Sequence, residues 1–166
     1  MASVEIRPAD RPGDLGWIVQ EHGEMYSREF GWSTAFEEMV AGIMGQYATD
    51  RDPDRERAWI ADVDGRRAGC IGCMRGDDPA TAKLRVLLVD PDCRGLGVGA
   101  ALVETCVSFA RRVGYTRMVL WTTDNLHSAR RIYQGTGFRL VAEAPHRGFG
   151  REVVGQDWEL DLTRLQ

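Results

Sequence analysis

The residues with the most chemical content lie in one stretch, Leu87-Leu88-Val89-Asp90-Pro91-Asp92-Cys93-Arg94-Gly95-Leu96-Gly97-Val98-Gly99-Ala100. An apolar run ends, a turn rich in glycine follows, and a helical pattern begins. The first turn of such a helix offers unpaired N–H groups and the positive end of its dipole, a ready site for an anion. Glycines let the backbone approach that anion without side-chain interference. Arg94 adds a cation able to hold phosphate through two donors. Together, Arg94, Gly95, Leu96, Gly97, Val98, Gly99 and Ala100 form a pyrophosphate cradle. Gly95 to Ala100 also fits the dinucleotide fingerprint G-x-G-x-x-G/A, with Asp124 ending the next strand. Three features oppose that reading: Asp90 to Arg94 separates the glycines from the strand, about half the chain precedes the motif, and the chain ends in antiparallel strands. A P-loop is excluded because no G-K-[ST] follows.

The other residue types point to little further chemistry. Cys70-Ile71-Gly72-Cys73 has the C-x-x-C spacing, but side chains three apart on a strand face opposite ways and no second half-site completes it, so no metal is expected. The chain has 166 residues with 43% apolar and 28% charged, enough to bury a core as one domain over 1–166. A formal net charge of -4 argues against a nucleic-acid partner. The N-terminus does not read as a signal peptide, no stretch is apolar enough for a membrane span, and the expected location is the cytoplasm.

The cradle needs elements to hold it. Val4 and Ile6 alternate with Glu5 and Arg7 as a half-buried strand ended by Pro8. Residues from about 14 to 49 read as two helices broken near Gly31-Trp32-Ser33-Thr34, with Ser33 or Thr34 as cap. Asp64-Gly65 between two apolar runs predicts a hairpin. Lys83 to Val89 is a strand covered on both faces in its second half. A helix follows from about Gly97 to Val113, then a buried strand at Met118 to Trp121. A helix over Leu126 to Thr136 is capped by Asp124 or Asn125, and Phe138 to Ala142 is a strand. Trp158, Leu160 and Leu162 mark a last half-buried strand. The order β-α-α-β-β-β-α-β-α-β-β predicts a single α/β domain with a mixed sheet, locally parallel where the two central helices connect strands.

These features resemble the GNAT superfamily of N-acetyltransferases. Arg94-Gly95-Leu96-Gly97-Val98-Gly99 matches that family's R/Q-x-x-G-x-G/A motif behind an apolar strand and an Asp-Pro step. Asn125, Ala129 and Tyr133-Gln134-Gly135-Thr136-Gly137-Phe138 match its second CoA-contacting segment. Lys83 to Leu162 is especially similar to GNAT domains fused behind MarR-type winged-helix regulators, although no such regulator precedes it here. The resemblance implies a mostly antiparallel sheet of about seven strands, helices on both faces, and a central splayed parallel pair matching 84–89 and 117–122. It implies acetyl-CoA as cosubstrate without a metal, held by backbone groups of Leu87, Leu88 and Val89, by the cradle, and by Asn125, Ala129 and Tyr133. A backbone N–H near Val89 would polarise the thioester carbonyl. An amine, small-molecule or peptidyl, would attack the thioester directly in a ternary complex, and Tyr133 would protonate the departing thiolate. A homodimer is compatible with the family.

The base is open. The family's usual strand Glu is replaced here by Lys83 and Arg85. Glu24, Glu29 and His146 are the remaining candidates, and a water relay is another. His22 and His127 read as surface or capping histidines. Cys93 beside Arg94 has no histidine tied to it and does not read as an acyl nucleophile. A non-catalytic acyl-CoA-binding or sensor domain is the alternative function.

Overall fold

The computed structural model of the chain describes residues 1–164. Its elements are β1 (Val4–Pro8), α1 (Asp14–Phe30), α2 (Thr34–Asp50), β2 (Arg57–Val63), β3 (Arg66–Arg75) and β4 (Thr81–Val89). A single 3-10 turn at Pro91–Cys93 leads to α3 (Val98–Arg112), β5 (Arg117–Thr123), α4 (His127–Thr136), β6 (Arg139–His146) and β7 (Val153–Asp161). The strands form one seven-stranded sheet in the order β1-β2-β3-β4-β5-β7-β6. Each neighbouring pair is antiparallel except β4 and β5.

Local chemistry accounts for most boundaries. Val63 pairs with Arg66 across a two-residue loop, and Asp64 and Gly65 both have positive φ, 51° and 78°. That is the turn an Asp-Gly hairpin requires. Ser33 caps α2, its hydroxyl accepting from the Ala35 N–H at 3.3 Å. The expected cap of α4 differs: Leu126 occupies the N-cap without a side-chain bond. Asp124 instead accepts from the Val154 N–H, and Asn125 accepts from the Thr123 hydroxyl. Both side chains are committed to strand ends, which leaves none for the helix.

Helices cover both faces. On one, Ile18, Met25, Tyr26, Phe36, Val40 and Met44 from α1 and α2 pack on Ile60, Cys70 and Leu88. On the other, Leu102, Cys106 and Phe109 from α3 pack on Trp59, Ile71, Cys73 and Met118. Cys70 and Cys73 thus fall into different cores, as strand alternation requires. The start of α1 is tied to the sheet by buried Asp14, which accepts from Arg7 at 2.8 Å and Arg67 at 2.9 Å. Burial pushes this carboxyl up, but the bonds from Arg7, the Arg11 N–H and Arg67 outweigh it and hold its pKa at about 2.

The feature that makes a site is an irregularity in β4. Gly72 pairs with Arg85 and Cys70 with Leu88, so Ile71 faces both Val86 and Leu87. The extra residue is a bulge, and Val86 sits at φ 55°, a strained value for a β-branched residue. Glycine on β3 admits it: a Cβ on Gly69 would meet the Leu88 carbonyl at 2.9 Å. Before the bulge is reached, β4 has already parted from β5. The two pair only from Thr81↔Arg117 to Lys83↔Val119, and the sheet opens below.

Candidate active site

The opening between β4 and β5 is a cleft with two compartments. The first, about 410 Å³, is lined by Leu87, Leu88, Val89, Arg94, Gly95, Gly97, Val98, Gly99, Ala100, Asn125 and Ala129. Gly95 and Gly97 have φ 84° and 77°, and a Cβ on either would meet no atom within 4 Å. The space over both is therefore open, and the first N–H groups of α3 face it unpaired. Past Lys83, the β5-facing edge of β4 is free of ladder partners and can accept an extended ligand as an added strand. Leu96 is the exception among the cradle residues: it is exposed and does not line the cleft.

Arg94 is already engaged. Its guanidinium donates to both oxygens of Glu29, at 2.8 and 3.2 Å, joining the end of α1 to the glycine loop. Glu29 therefore sits beside the cradle. Glu24 faces away, accepting from Gln20 at 3.0 Å and pairing with Arg28 at 3.6 Å, and it lines neither compartment.

The second compartment, about 400 Å³, shares Tyr26, Leu87, Leu126 and Ala129 with the first. Its walls are aromatic: Trp32, Phe36, Trp121, Phe149 and Tyr133. Trp32 and Phe149 centroids lie 4.8 Å apart, and Phe36 meets both edge-on. Tyr133 is 4% exposed, packs on Phe138 at 5.7 Å, and makes no hydrogen bond through its hydroxyl to any described residue. Burial pushes this phenol well above its ordinary pKa, so it stays protonated.

Two groups here carry charge or a proton. Arg85 lines the wall of this compartment. His22 corrects its reading as a surface or capping histidine, because it is buried at 2% exposure and lines this compartment. Its Nδ1 lies 2.7 Å from the Ile18 carbonyl, which only accepts, so Nδ1 carries the proton and Nε2 is an acceptor. Burial lowers its pKa to about 4. The sequence did carry a signal for it: Ile18, His22, Met25 and Tyr26 recur on one stripe of α1. His146 also lines the wall, but its Nε2 is buried without a partner beside Gly148. His127 is exposed at the start of α4. Among the described residues, no Asp or Glu lines the second compartment.

A splayed α/β sheet with a glycine-lined anion cradle at one helix N-terminus is the architecture of an acyl-CoA transferase. The model of the Acetyltransferase (GNAT) family matches residues 17–138. The chain belongs to that family, and as one of its acetyltransferases it uses acetyl-CoA as cosubstrate. It is 30% identical over 151 residues to an uncharacterised N-acetyltransferase of Schizosaccharomyces pombe, covering 87% of this chain and 88% of the relative. It is 36% identical over 90 residues to human N-acetyltransferase 8B, covering 52% of this chain and 40% of the relative. With zebrafish (Danio rerio) N-acetylaspartate synthetase the identity is 34% over 85 residues, covering 51% of this chain and 30% of the relative. The chain thus spans less than half the length of these last two. In fold it is similar to the yncA protein of Salmonella typhimurium, solved with its cofactor acetyl-CoA. That match has a TM-score of 0.76 and 21% identity, covering 99% of this chain and 96% of the other. Among the described residues, no helix is long and apolar enough to cross a membrane.

Proposed function

We propose that the protein transfers the acetyl group of acetyl-CoA to a primary amine by direct attack in a ternary complex. The observation that carries this is the two-compartment cleft, with a cradle at one end and an aromatic chamber at the other. When bound, acetyl-CoA supplies an activated acyl group on a thiol leaving group. The α3 N–H groups and Arg94 hold its phosphates, with Arg94 exchanging Glu29 for phosphate oxygens. The open edge of β4 at Leu87 to Val89 orients the arm, and a backbone N–H there stabilises the oxyanion that forms on attack. Asn125 and Ala129 flank it from α4 and the turn before it.

The aromatic chamber offers the amine a largely apolar wall beside the residues that both compartments share. Tyr133 donates its proton to the departing sulfur; an apolar site raises the thiolate's proton affinity as well as the phenol's, which keeps the transfer balanced. With no carboxylate among the described residues of the chamber, the imidazoles of His22, through Nε2, and of His146 are the groups that would orient the neutral amine or a relaying water. Glu29 serves the cradle, and Glu24 lies outside the cleft. The test is incubation with acetyl-CoA and a panel of amines, following thiol release. Stabilisation by NADH without stabilisation by acetyl-CoA would sink the assignment.

A further inference from the structure

Arg85 poses a question that acetyl transfer alone does not answer. It stands on β4 immediately before the strained Val86, where the strand still pairs with β3 but no longer with β5. Its guanidinium makes no hydrogen bond or ion pair with any other described residue. Asp77 is the acid whose charge reaches it, and Asp77 bonds the Lys83 ammonium instead, at 3.3 Å. Arg85 also borders a neighbouring pocket lined by Asp77, Asp78, Asp157 and Glu159, but none of these pairs with it; its charge is thus without a direct partner and cannot be relieved by deprotonation. Burial does push its pKa down.

The surroundings of Arg85 specify what would complete it. Among the described residues, every other group on the chamber wall is apolar, aromatic, neutral or an imidazole, and none is an acid. Inside the chamber, an acceptor with a second cationic group would meet the positive charge of Arg85 with no acid on the same wall among the described residues. An acceptor with an anion beside its amine would pair Arg85 through two donors. Its remaining bulk would fill a space bounded by Trp32, Phe36, Trp121 and Phe149. That space of about 400 Å³ suits a small molecule with one ring or a large apolar group.

Resting on the N-acetyltransferase reading, we propose that Arg85 is the specificity residue for an amino-carboxylate acceptor. It binds the carboxylate of an α-amino acid whose side chain is aromatic or large and apolar. The amine then points along β4 towards Leu87, which both compartments share, while the side chain lies against the tryptophans. The chemistry stays balanced: the amine nitrogen forms the amide bond and gives up one proton, the carbon–sulfur bond breaks, the CoA sulfur leaves as a thiol carrying one proton, and Arg85 takes no part in proton transfer.

The experiment compares phenylalanine with phenethylamine and phenylalanine amide as acceptors, at saturating acetyl-CoA. The wild type is expected to favour phenylalanine in kcat/KM by about 10²-fold, the worth of a lost charged hydrogen-bonded pair. Arg85→Met should erase that preference by raising KM for phenylalanine. It should leave the thermal stabilisation by acetyl-CoA unchanged, because Arg85 lies outside the cofactor compartment. Equal use of the three acceptors by the wild type, or a preference that survives Arg85→Met, overturns the proposal while leaving the acetyltransferase intact. Preference for the amide would point to a peptide N-terminus and likewise overturns it. A second readout needs no turnover: N-acetylphenylalanine and N-acetylphenethylamine are titrated against the fluorescence of the wall tryptophans. Tighter binding of the carboxylate by the wild type alone supports the anchor, and equal binding removes it. If no amine is acetylated, the transferase reading fails separately, and this titration still decides the anchor.

Discussion

Replacing Tyr133 with phenylalanine separates its chemical role from its packing. The ring is 4% exposed against Phe138, and its hydroxyl bonds no described residue. Tyr133→Phe therefore keeps the packing and orphans no partner, so stability should change by less than about 1 kcal/mol, or a Tm shift of about 3 °C or less. Acetyl-CoA affinity should hold, because Tyr133 lines only the acceptor compartment. Turnover should fall by about 10²-fold, equivalent to ~2.7 kcal/mol of transition-state stabilisation at 1.36 kcal/mol per decade. The pH profile adds a second check. A phenol at its ordinary pKa would shape the alkaline limb near pH 10, but burial pushes this one well higher. Wild type and variant should therefore share one alkaline limb, displaced by a constant factor. The assay is steady-state thiol release from pH 6 to pH 9.5, with circular-dichroism melts of both proteins. Full turnover in a folded Tyr133→Phe would refute the acid role and leave water as the proton donor. Lost acetyl-CoA binding would make Tyr133 a binding residue instead.

Three further expectations follow from single contacts. Gly97→Val places a branched residue at φ 77° and a side chain in open cradle space; it should cost about 1–2 kcal/mol of strain and abolish the thermal stabilisation by acetyl-CoA. Unchanged stabilisation in a folded variant would remove the cradle from the mechanism. Glu29→Gln removes an anion that competes for Arg94, so calorimetry should show CoA binding tightened by a few-fold with kcat little altered; a collapse in kcat would instead restore Glu29 as a base. His22, buried neutral with its pKa lowered to about 4, makes stability pH-dependent. Between pH 6.5 and pH 4 the unfolded ring is protonated while the folded one is not, so this residue's contribution is intact above 6.5 and lost as pH falls towards 4. The loss amounts to about 3 kcal/mol. His22→Phe should flatten urea-melt stability across that window, and an unchanged slope would contradict the buried neutral ring.

The cofactor compartment was legible because its residues are contiguous. Gly95, Gly97, Gly99 and Arg94 fall within six positions, and a strand-turn-helix places their backbone groups together whatever the rest of the chain does. Elements were legible for the same reason: Asp64-Gly65 and Ser33 act on their immediate neighbours. The ends of β6 and β7 were not. The expected strands at Phe138 to Ala142 and Trp158 to Leu162 extend as Arg139–His146 and Val153–Asp161. β6 is an exposed edge, so no burial alternation marks its second half. In β7, Gly155 and Gln156 are both buried, and Gln156 is satisfied by Glu143 and Trp158, so polarity gave the wrong sign there.

The acceptor chamber shows a deeper limit. Its walls come from α1, α2, β4, β5, α4 and the turn after β6, so side chains more than 100 positions apart meet only after the sheet forms. Val86 looks like any member of an apolar run, yet its positive φ opens the cleft, and the cause lies partly on another strand, where Gly69 and Gly72 admit the bulge. Arg85 was visible as the residue standing where an acid was expected. In sequence it is a missing base; in the structure it is a cation without a direct partner in a chamber whose described residues include no acid. That placement turns a departure from the family pattern into a statement about charge: what the wall lacks, the acceptor must bring.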